Sequence, residues 1–353
     1  MRLAVVSRPF NRIGYSVIER ILNNTDHEIV SVFLPNYKGN SLDHGFIPRN
    51  FSKFKYHLSC LISGAKPVKM QDSILRLCND YDCPVEICHD INSDSIRKLF
   101  SESEIDLLLV AGGWPKLISR ETFEQCKLGG LNIHPSLLPE YRGTSVHRWQ
   151  ILHGEEKSGV TFHMLSEEYD SGRIVLQESF SLSPMESPQS LVAKASVCAA
   201  NYVHKAIGSI SNHGKGTNNE DSQNNAWPTW NWNSHGFLKI DWTNDSNSIS
   251  NLIRACTQES YHYAGPTAIF GSQTWIIREA AETPIQSEFI IERMPGEILL
   301  NSFLGELVVC CGQGTALRIT RLQRKKESGN SLFSISGRSF VKRLKNKHPI
   351  AFE

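Results

Sequence analysis

Residues 2–34 read RLAVVSRPFNRIGYSVIERILNNTDHEIVSVFL. The run RLAVV at 2–6 is short, apolar and rich in Val, the mark of a buried strand. Over 14–23, Val17, Ile18, Ile21 and Leu22 share one helical face. Glu28 to Leu34 (EIVSVFL) forms a second strand. Strand, helix and strand in that order open a parallel sheet with helices laid against it.

The same alternation runs on. Helices are expected at Gln71–Tyr81, at Ser93–Ser101 with Ser93 as cap, at Arg120–Lys127, at Val146–His153 and at Ser190–Ile210. Strands are expected at Val85–Cys88, Ile105–Ala111, Leu131–His134, Val160–Leu165 and Ile174–Ser179. One segment breaks the pattern. Residues 35–69 carry Lys38, Arg49, Lys53, Lys55, Lys66 and Lys69 against Asp43 alone, with Phe46, Phe51, Phe54 and Tyr56 among them. That composition reads as a long functional loop, with one short helix around Tyr56–Ile62. Residues 211–226 (SNHGKGTNNEDSQNNA) hold almost nothing apolar and read as a linker. Beyond it, short strands at Phe237–Trp242, Thr267–Phe270, Thr274–Arg278, Gly296–Asn301, Glu306–Cys311 and Ala316–Thr320 alternate with Gly, Pro and Ser turns. One amphipathic helix carries Ile249, Leu252, Ile253 and Cys256. This layout predicts a small β-barrel. The expected organisation is 1–210, a linker over 211–235, and 236–353.

The chain has 353 residues, 40% of them hydrophobic, which suits two domains with sizeable cores. A net charge of +1 gives no whole-molecule reason to expect nucleic-acid binding. The N-terminal apolar run is too short for a signal peptide, and no span of about eighteen apolar residues occurs. Nine scattered cysteines do not form a secreted disulfide scaffold. A cytoplasmic setting without membrane contact is the expectation. Cys78, Cys83 and Cys88 are separated by four residues rather than two, so they read as small buried hydrophobes and no metal is expected.

The chemistry begins at Asn132-Ile133-His134. Residues two apart on a strand point the same way, so the amide and the imidazole project into one space. A bare Asn-x-His is more often structural than catalytic. The loop Pro135–Gly143 narrows the field, because two prolines stiffen it and Gly143 lets it turn. Asp170 follows in a Tyr-Asp-Ser-Gly turn before a strand, where a carboxylate can approach the imidazole from the other side.

At these residues the chain resembles the folate-dependent formyltransferases, a family that includes enzymes acting on methionyl-tRNA, on glycinamide ribonucleotide and on amino sugars. The resemblance rests on Asn132-x-His134, Ser136-Leu137-Leu138-Pro139-Glu140-Tyr141-Arg142-Gly143, Gly159-Val160-Thr161 and Asp170-Ser171-Gly172. It continues beyond the linker in Ile240-Asp241-Trp242, Gly265-Pro266-Thr267, Pro295-Gly296-Glu297-Ile298 and Val308 to Gly314. It implies an α/β fold: a Rossmann-like catalytic domain with a largely parallel sheet, plus a C-terminal OB-like β-barrel. It implies 10-formyltetrahydrofolate as cosubstrate and no metal. Carried over by position, Asn132, His134 and Asp170 are catalytic. Gly112, Gly113, Trp114, Leu117, Ile118, Ser136, Leu137 and Tyr169 face the folate. Arg8, Tyr141, Arg142 and Gly143 face the acceptor. Two stretches depart from the family pattern: Ser7-Arg8-Pro9 replaces its Gly-Thr-Pro turn, and Trp114-Pro115 its tyrosine-type sequence.

The acceptor expected first is a nucleotide-linked amino sugar for surface polysaccharide, with Trp227-Pro228-Thr229-Trp230-Asn231-Trp232 able to stack on it or to pack between domains. Initiator tRNA is the alternative, since residues 318–347 hold ten cations against Glu327. Transfer to water is a third outcome. A homodimer or monomer is the expected assembly.

Overall fold

A computed structural model describes residues 1–24, 26–35, 73–213, 239–256, 265–283, 292–299, 306–326, 329–344 and 351–352. The opening run forms β1 (Arg2–Val6), α1 (Arg12–Leu22) and β2 (Glu28–Pro35). Leu3 to Val6 are fully buried because β1 is covered on both faces. It pairs in parallel with β2 on one side and with β4 (Leu107–Ala111) on the other. Side chains alternate as a strand requires. Leu3, Val5, Leu107 and Leu109 join one apolar cluster with α1, while Ala4, Val6, Leu108 and Val110 join another on the opposite face.

The elements that complete this sheet are α2 (Ile74–Asp80), β3 (Val85–Cys88), α3 (Asp94–Glu102), α4 (Arg120–Phe123), β5 (Gly130–His134), α5 (Val146–Leu152), β6 (Lys157–Met164), β7 (Ile174–Ser181) and α6 (Pro188–His213). The strand order is β3-β2-β1-β4-β5-β6-β7. The first five strands run parallel, and β6 and β7 run antiparallel to their neighbours. The chain moves outward from β1 to β3 and then returns to place β4 beside β1. That reversal opens a crevice at the carboxyl ends of β1 and β4, where ligands of such sheets bind. Helix α6 covers one face through Ala195, Ala199, Val203, Ala206, Ile207 and Ile210. It reaches His213, so the expected linker begins as helix, and the rest of that linker lies outside the described residues. The expected loop at 35–69, its helix and the Trp227–Trp232 segment also lie outside them, apart from Pro35, which ends β2.

The second part contains α7 (Ser246–Cys256), β8 (Thr267–Phe270), β9 (Gln273–Glu282), β10 (Ile298–Leu299), β11 (Leu307–Cys311), β12 (Thr315–Lys326), β13 (Gly329–Ser336) and α8 (Gly337–Leu344). The order is β10-β11-β12-β9-β8, with β13 branching from β12, and every pairing is antiparallel. Strand β12 pairs with three partners, and register shifts along it bend it from one to the next.

One expectation changes. The strand expected at Phe237–Trp242 is, within the described residues, a single bridge from Lys239 to Thr267, with Trp242 buried beneath. Where it is described, the basic stretch from 318 is folded as β12, β13 and α8. Phe340, Val341 and Leu344 turn inward from α8. Part of its charge is neutralised by residues distant in sequence: Arg318 and Arg338 both meet Glu306, at 3.1 and 3.3 Å, and Arg321 meets Glu279 at 3.2 Å.

No described helix is long and apolar enough to cross a membrane. Among the described residues there is no group of three or more His, Cys, Asp or Glu placed to hold a metal ion.

Candidate active site

Strand β5 sets the first two groups. Asn132 lies opposite His163 of β6, and His134 opposite Thr161. The cross-strand register therefore adds a second imidazole beside the Asn132 amide. Asp170 sits in the β6–β7 turn with left-handed backbone, φ 54°. Gly172 lets that turn close, because a Cβ there would lie 1.8 Å from the Met164 carbonyl oxygen.

These four side chains meet at one carboxylate oxygen. Asp170 Oδ1 accepts from Asn132 Nδ2 at 3.2 Å and lies 3.5 Å from both His134 Nδ1 and His163 Nε2. The other oxygen, Oδ2, accepts the Gly143 backbone N–H at 2.8 Å. Carbonyl groups set the tautomers of the neutral rings, since a carbonyl can only accept. His134 Nε2 donates to the Tyr141 carbonyl at 2.7 Å, and His163 Nδ1 donates to the Met164 carbonyl at 2.9 Å. In the neutral state His134 Nδ1 and His163 Nε2 thus carry lone pairs and face Asp170. Asn132 Nδ2 donates its second hydrogen to His163 Nε2 at 2.9 Å. Reversing that amide would turn its oxygen onto two acceptors, so its orientation is settled. The arrangement is a proton-accepting cluster: two bare ring nitrogens and one carboxylate oxygen converge, with one amide among them.

Burial tunes the cluster. His134 and His163 are almost wholly buried. Burial holds the His134 pKa below the usual imidazole value, although the Asp170 charge and the Tyr141 carbonyl pull it upward. Burial acts the other way on Asp170, but the His134 ring in its protonated form, the His163 contact and the Gly143 N–H outweigh it and keep the carboxylate well below its ordinary range. Asp170 is accordingly an anion at neutral pH.

The loop 135–143 is held from several sides. Thr161 Oγ1 donates to the Ser136 carbonyl at 2.6 Å and accepts the Leu138 N–H at 3.1 Å. Gln177 Nε2 donates to the Leu138 carbonyl and to Thr161 Oγ1, each at 2.9 Å, and Gln150 Nε2 donates to the Pro135 carbonyl at 3.1 Å. Arg142 is buried and donates through Nε and Nη2 to the Tyr169 carbonyl, at 3.1 and 2.6 Å. Together with the Gly143 N–H on Asp170, this clasps the loop to the Asp170 turn.

The remaining expected residues are placed as follows. Gly112 and Gly113 leave β4 with φ of 92° and 79°, beside the β1–β4 crevice. A side chain on Gly112 would overlap Asn11, whereas Gly113 has only Arg8 Nε within 4 Å of its Cβ position. Arg8 follows β1, and its Nε is buried without a hydrogen-bond partner among the described residues. The Leu117 carbonyl accepts from Asn92 Nδ2 at 2.9 Å. Ile118 is buried with Val6 and Val110, and Trp114 packs against the same cluster. Ser136 is fully buried, and Leu137 lies over Gly159 of β6. Tyr169 extends its ring into solvent. The Tyr141 ring is buried, so this residue meets the site through its carbonyl. Reasoning from sequence missed His163. Its signal was available in Thr161-Phe162-His163, a two-residue spacing that mirrors Asn132-Ile133-His134 across an antiparallel pair.

A parallel sheet with its crevice at β1–β4, an amide–imidazole–carboxylate cluster at the end of β5, and an appended antiparallel domain define a group-transfer class of protein. A formyl transferase model matches residues 89–207, and a formyl transferase C-terminal domain model matches residues 234–336. Together they cover more than half of the chain, which belongs to the formyl transferase family. A methionyl-tRNA formyltransferase of Chlorobium chlorochromatii is 29% identical over 143 residues, 40% of this chain and 43% of that protein. The crystal structure of an N-formyltransferase from Helicobacter canadensis, in complex with folinic acid and dTDP-3-aminofucose, superposes with a TM-score of 0.57 at 18% identity, covering 90% of this chain and 99% of that one. A HypX variant from Aquifex aeolicus superposes with a TM-score of 0.56 at 18% identity, over 99% of this chain but 48% of its own. At such identities the shared property is the fold. The chain spans less than half of the methionyl-tRNA formyltransferase relative and about half of HypX.

Proposed function

We propose that this chain transfers the formyl group of 10-formyltetrahydrofolate to a primary amine, with Asn132, His134 and Asp170 at the reacting centre. The observation that carries the reading is the convergence of His134 Nδ1 and His163 Nε2 on Asp170 Oδ1. An amine that attacks a formyl carbon must lose a proton, and this cluster is built to take one.

The amine nitrogen bonds to the formyl carbon, and the C=O π pair moves onto oxygen. His134 Nδ1 takes the proton from the new ammonium nitrogen, and Asp170 stabilises the imidazolium. The Asn132 N–H that rests on His163 is the donor available to the oxyanion, and one such donor contributes roughly 3–4 kcal/mol to lowering the barrier. As the oxyanion collapses, the bond to N10 of the folate breaks and N10 recovers the proton from His134. We place the folate in the crevice at β1–β4, where Gly113 leaves main chain uncovered beside Arg8 Nε, which has no hydrogen-bond partner among the described residues.

For the acceptor we favour a nucleotide-linked amino sugar, of the sort used to build surface polysaccharide in the cytoplasm. The near-complete mutual coverage with a structure holding dTDP-3-aminofucose supports this, as does the pairing of Arg318, Arg321 and Arg338 with carboxylates, which reduces the surface open to a polyanion. Methionyl-tRNA is the second reading, favoured by the 29% identical relative. Incubation with 10-formyltetrahydrofolate and, separately, nucleotide-linked amino sugars, charged initiator tRNA or water alone tests it. Mass spectrometry should find one added formyl group on an amino sugar. Formate release in water alone with no formylated amine would overturn the transferase reading.

A further inference from the structure

Tyr141 is an aromatic residue in left-handed backbone, φ 58°, a conformation disfavoured for any residue but glycine. Something must hold it there. Its ring is buried in the apolar cluster with Val146 and Trp149. Its hydroxyl donates to Glu155 Oε1 at 2.5 Å and lies 3.0 Å from His153 Nδ1, which can donate to it in turn. Burial, and then the Glu155 carboxylate, push the phenol pKa upward, so the hydroxyl keeps its hydrogen and its donor role. The strained backbone aims the Tyr141 carbonyl at His134 Nε2, the buried contact at 2.7 Å.

We propose that Tyr141 is a positioning residue whose side-chain anchor holds its carbonyl on His134 Nε2, and thereby leaves Nδ1 as the ring nitrogen that accepts the proton. The inference rests on the transferase reading above. Without that acceptor the hydrogen on Nε2 loses its partner. The competing tautomer, with its hydrogen on Nδ1 directed at Asp170, then gains weight, and the proton-accepting lone pair leaves the reacting side. The carbonyl also favours the charged ring, so losing it lowers the pKa of His134. A residue that merely packs would lower stability without moving either property.

Two variants of the full-length protein separate the cases. Tyr141→Phe keeps the ring and removes the link to Glu155. Tyr141→Gly allows the left-handed backbone without strain but removes the whole anchor that holds the carbonyl on His134. The expected result for Tyr141→Gly is a kcat at least about tenfold lower, with KM for folate and amine within about threefold, and for Tyr141→Phe a smaller loss in the same sense. The His134 ring, followed by nitrogen NMR in the resting protein, should titrate at lower pH in Tyr141→Gly and show more of the Nδ1–H tautomer. NMR reads the ring without turnover, so it tests the inference apart from the reaction. Folded Tyr141→Gly, or Tyr141→Phe if the first does not fold, with unchanged tautomer and titration would overturn the proposal. Should His134→Ala turn over normally, the transferase reading itself fails, whatever the spectra show.

Discussion

His134 and Asp170 hold their unusual ionisation by different means, and pH separates them. The folded-state pKa of His134 lies below the ordinary 6.5 because the ring is buried. Between that lowered value and 6.5 the unfolded chain binds more protons, so stability is fully present above 6.5 and is lost as pH falls through this window. Asp170 is depressed instead, and its contribution persists until pH falls below the ordinary carboxylate range. Denaturant melts at pH 7 and pH 5 should therefore show a loss of stability that His134→Gln reduces. Asp170→Asn removes the charge that raises the His134 pKa. We expect kcat to fall by about 10²–10³-fold, with the acidic limb of the pH–rate profile displaced to lower pH. A profile that keeps its position would separate Asp170 from His134. At this scale Asn132, His134 and Asp170 were legible, because a two-residue strand spacing and an Asp-x-Gly turn follow from local rules. His163 was not, because its place depends on the register of two strands joined by more than twenty residues of loop and helix.

The elements around the site tolerate little added volume. A Cβ on Gly172 would press on the Met164 carbonyl, a backbone atom that cannot step aside, and the turn that presents Asp170 would have to open. Gly172→Ala should cost about 2–4 kcal/mol and lower kcat far more than KM, checked by thermal melts and steady-state kinetics. The same substitution at Gly208, exposed within α6 and with nothing within 4 Å of the added carbon, should leave kcat unchanged and raise stability by about 0.5–1 kcal/mol. The helices and strands of the first domain were legible because their apolar runs have clear periods and lengths. Strand β13 and helix α8 escaped notice because charge dominates 318–347 in sequence. What folds that stretch is the inward turn of Phe340, Val341 and Leu344 and the pairing of its arginines with Glu306 and Glu279.

Across the whole molecule the expected domain division is crossed by one apolar cluster. Trp149 and Val146 of α5 pack with Trp242 and with Ile249 and Leu252 of α7, and Arg148 donates a buried hydrogen bond to the Ala255 carbonyl. We propose that 1–210 and 236–353 are domains in connectivity but unfold as one unit. Calorimetry should give a single transition, and Trp149→Ala, at a cost of about 3–5 kcal/mol, should lower it as a whole. Two transitions, only one of them shifted, would show the halves to be independent. Sequence suggests a boundary where polar residues gather, but it carries no sign of the interface, which joins segments about a hundred residues apart.

In the proposed formyl transfer, the imidazole facing Asp170 takes the amine proton. Single-turnover transfer from 10-formyltetrahydrofolate to the accepted amine, compared between the unaltered chain and a folded His134→Ala variant, tests it most directly. One formyl group should be gained with the unaltered chain, and the rate should fall by at least about a hundredfold in the variant. A variant that transfers the group at near the original rate would contradict it.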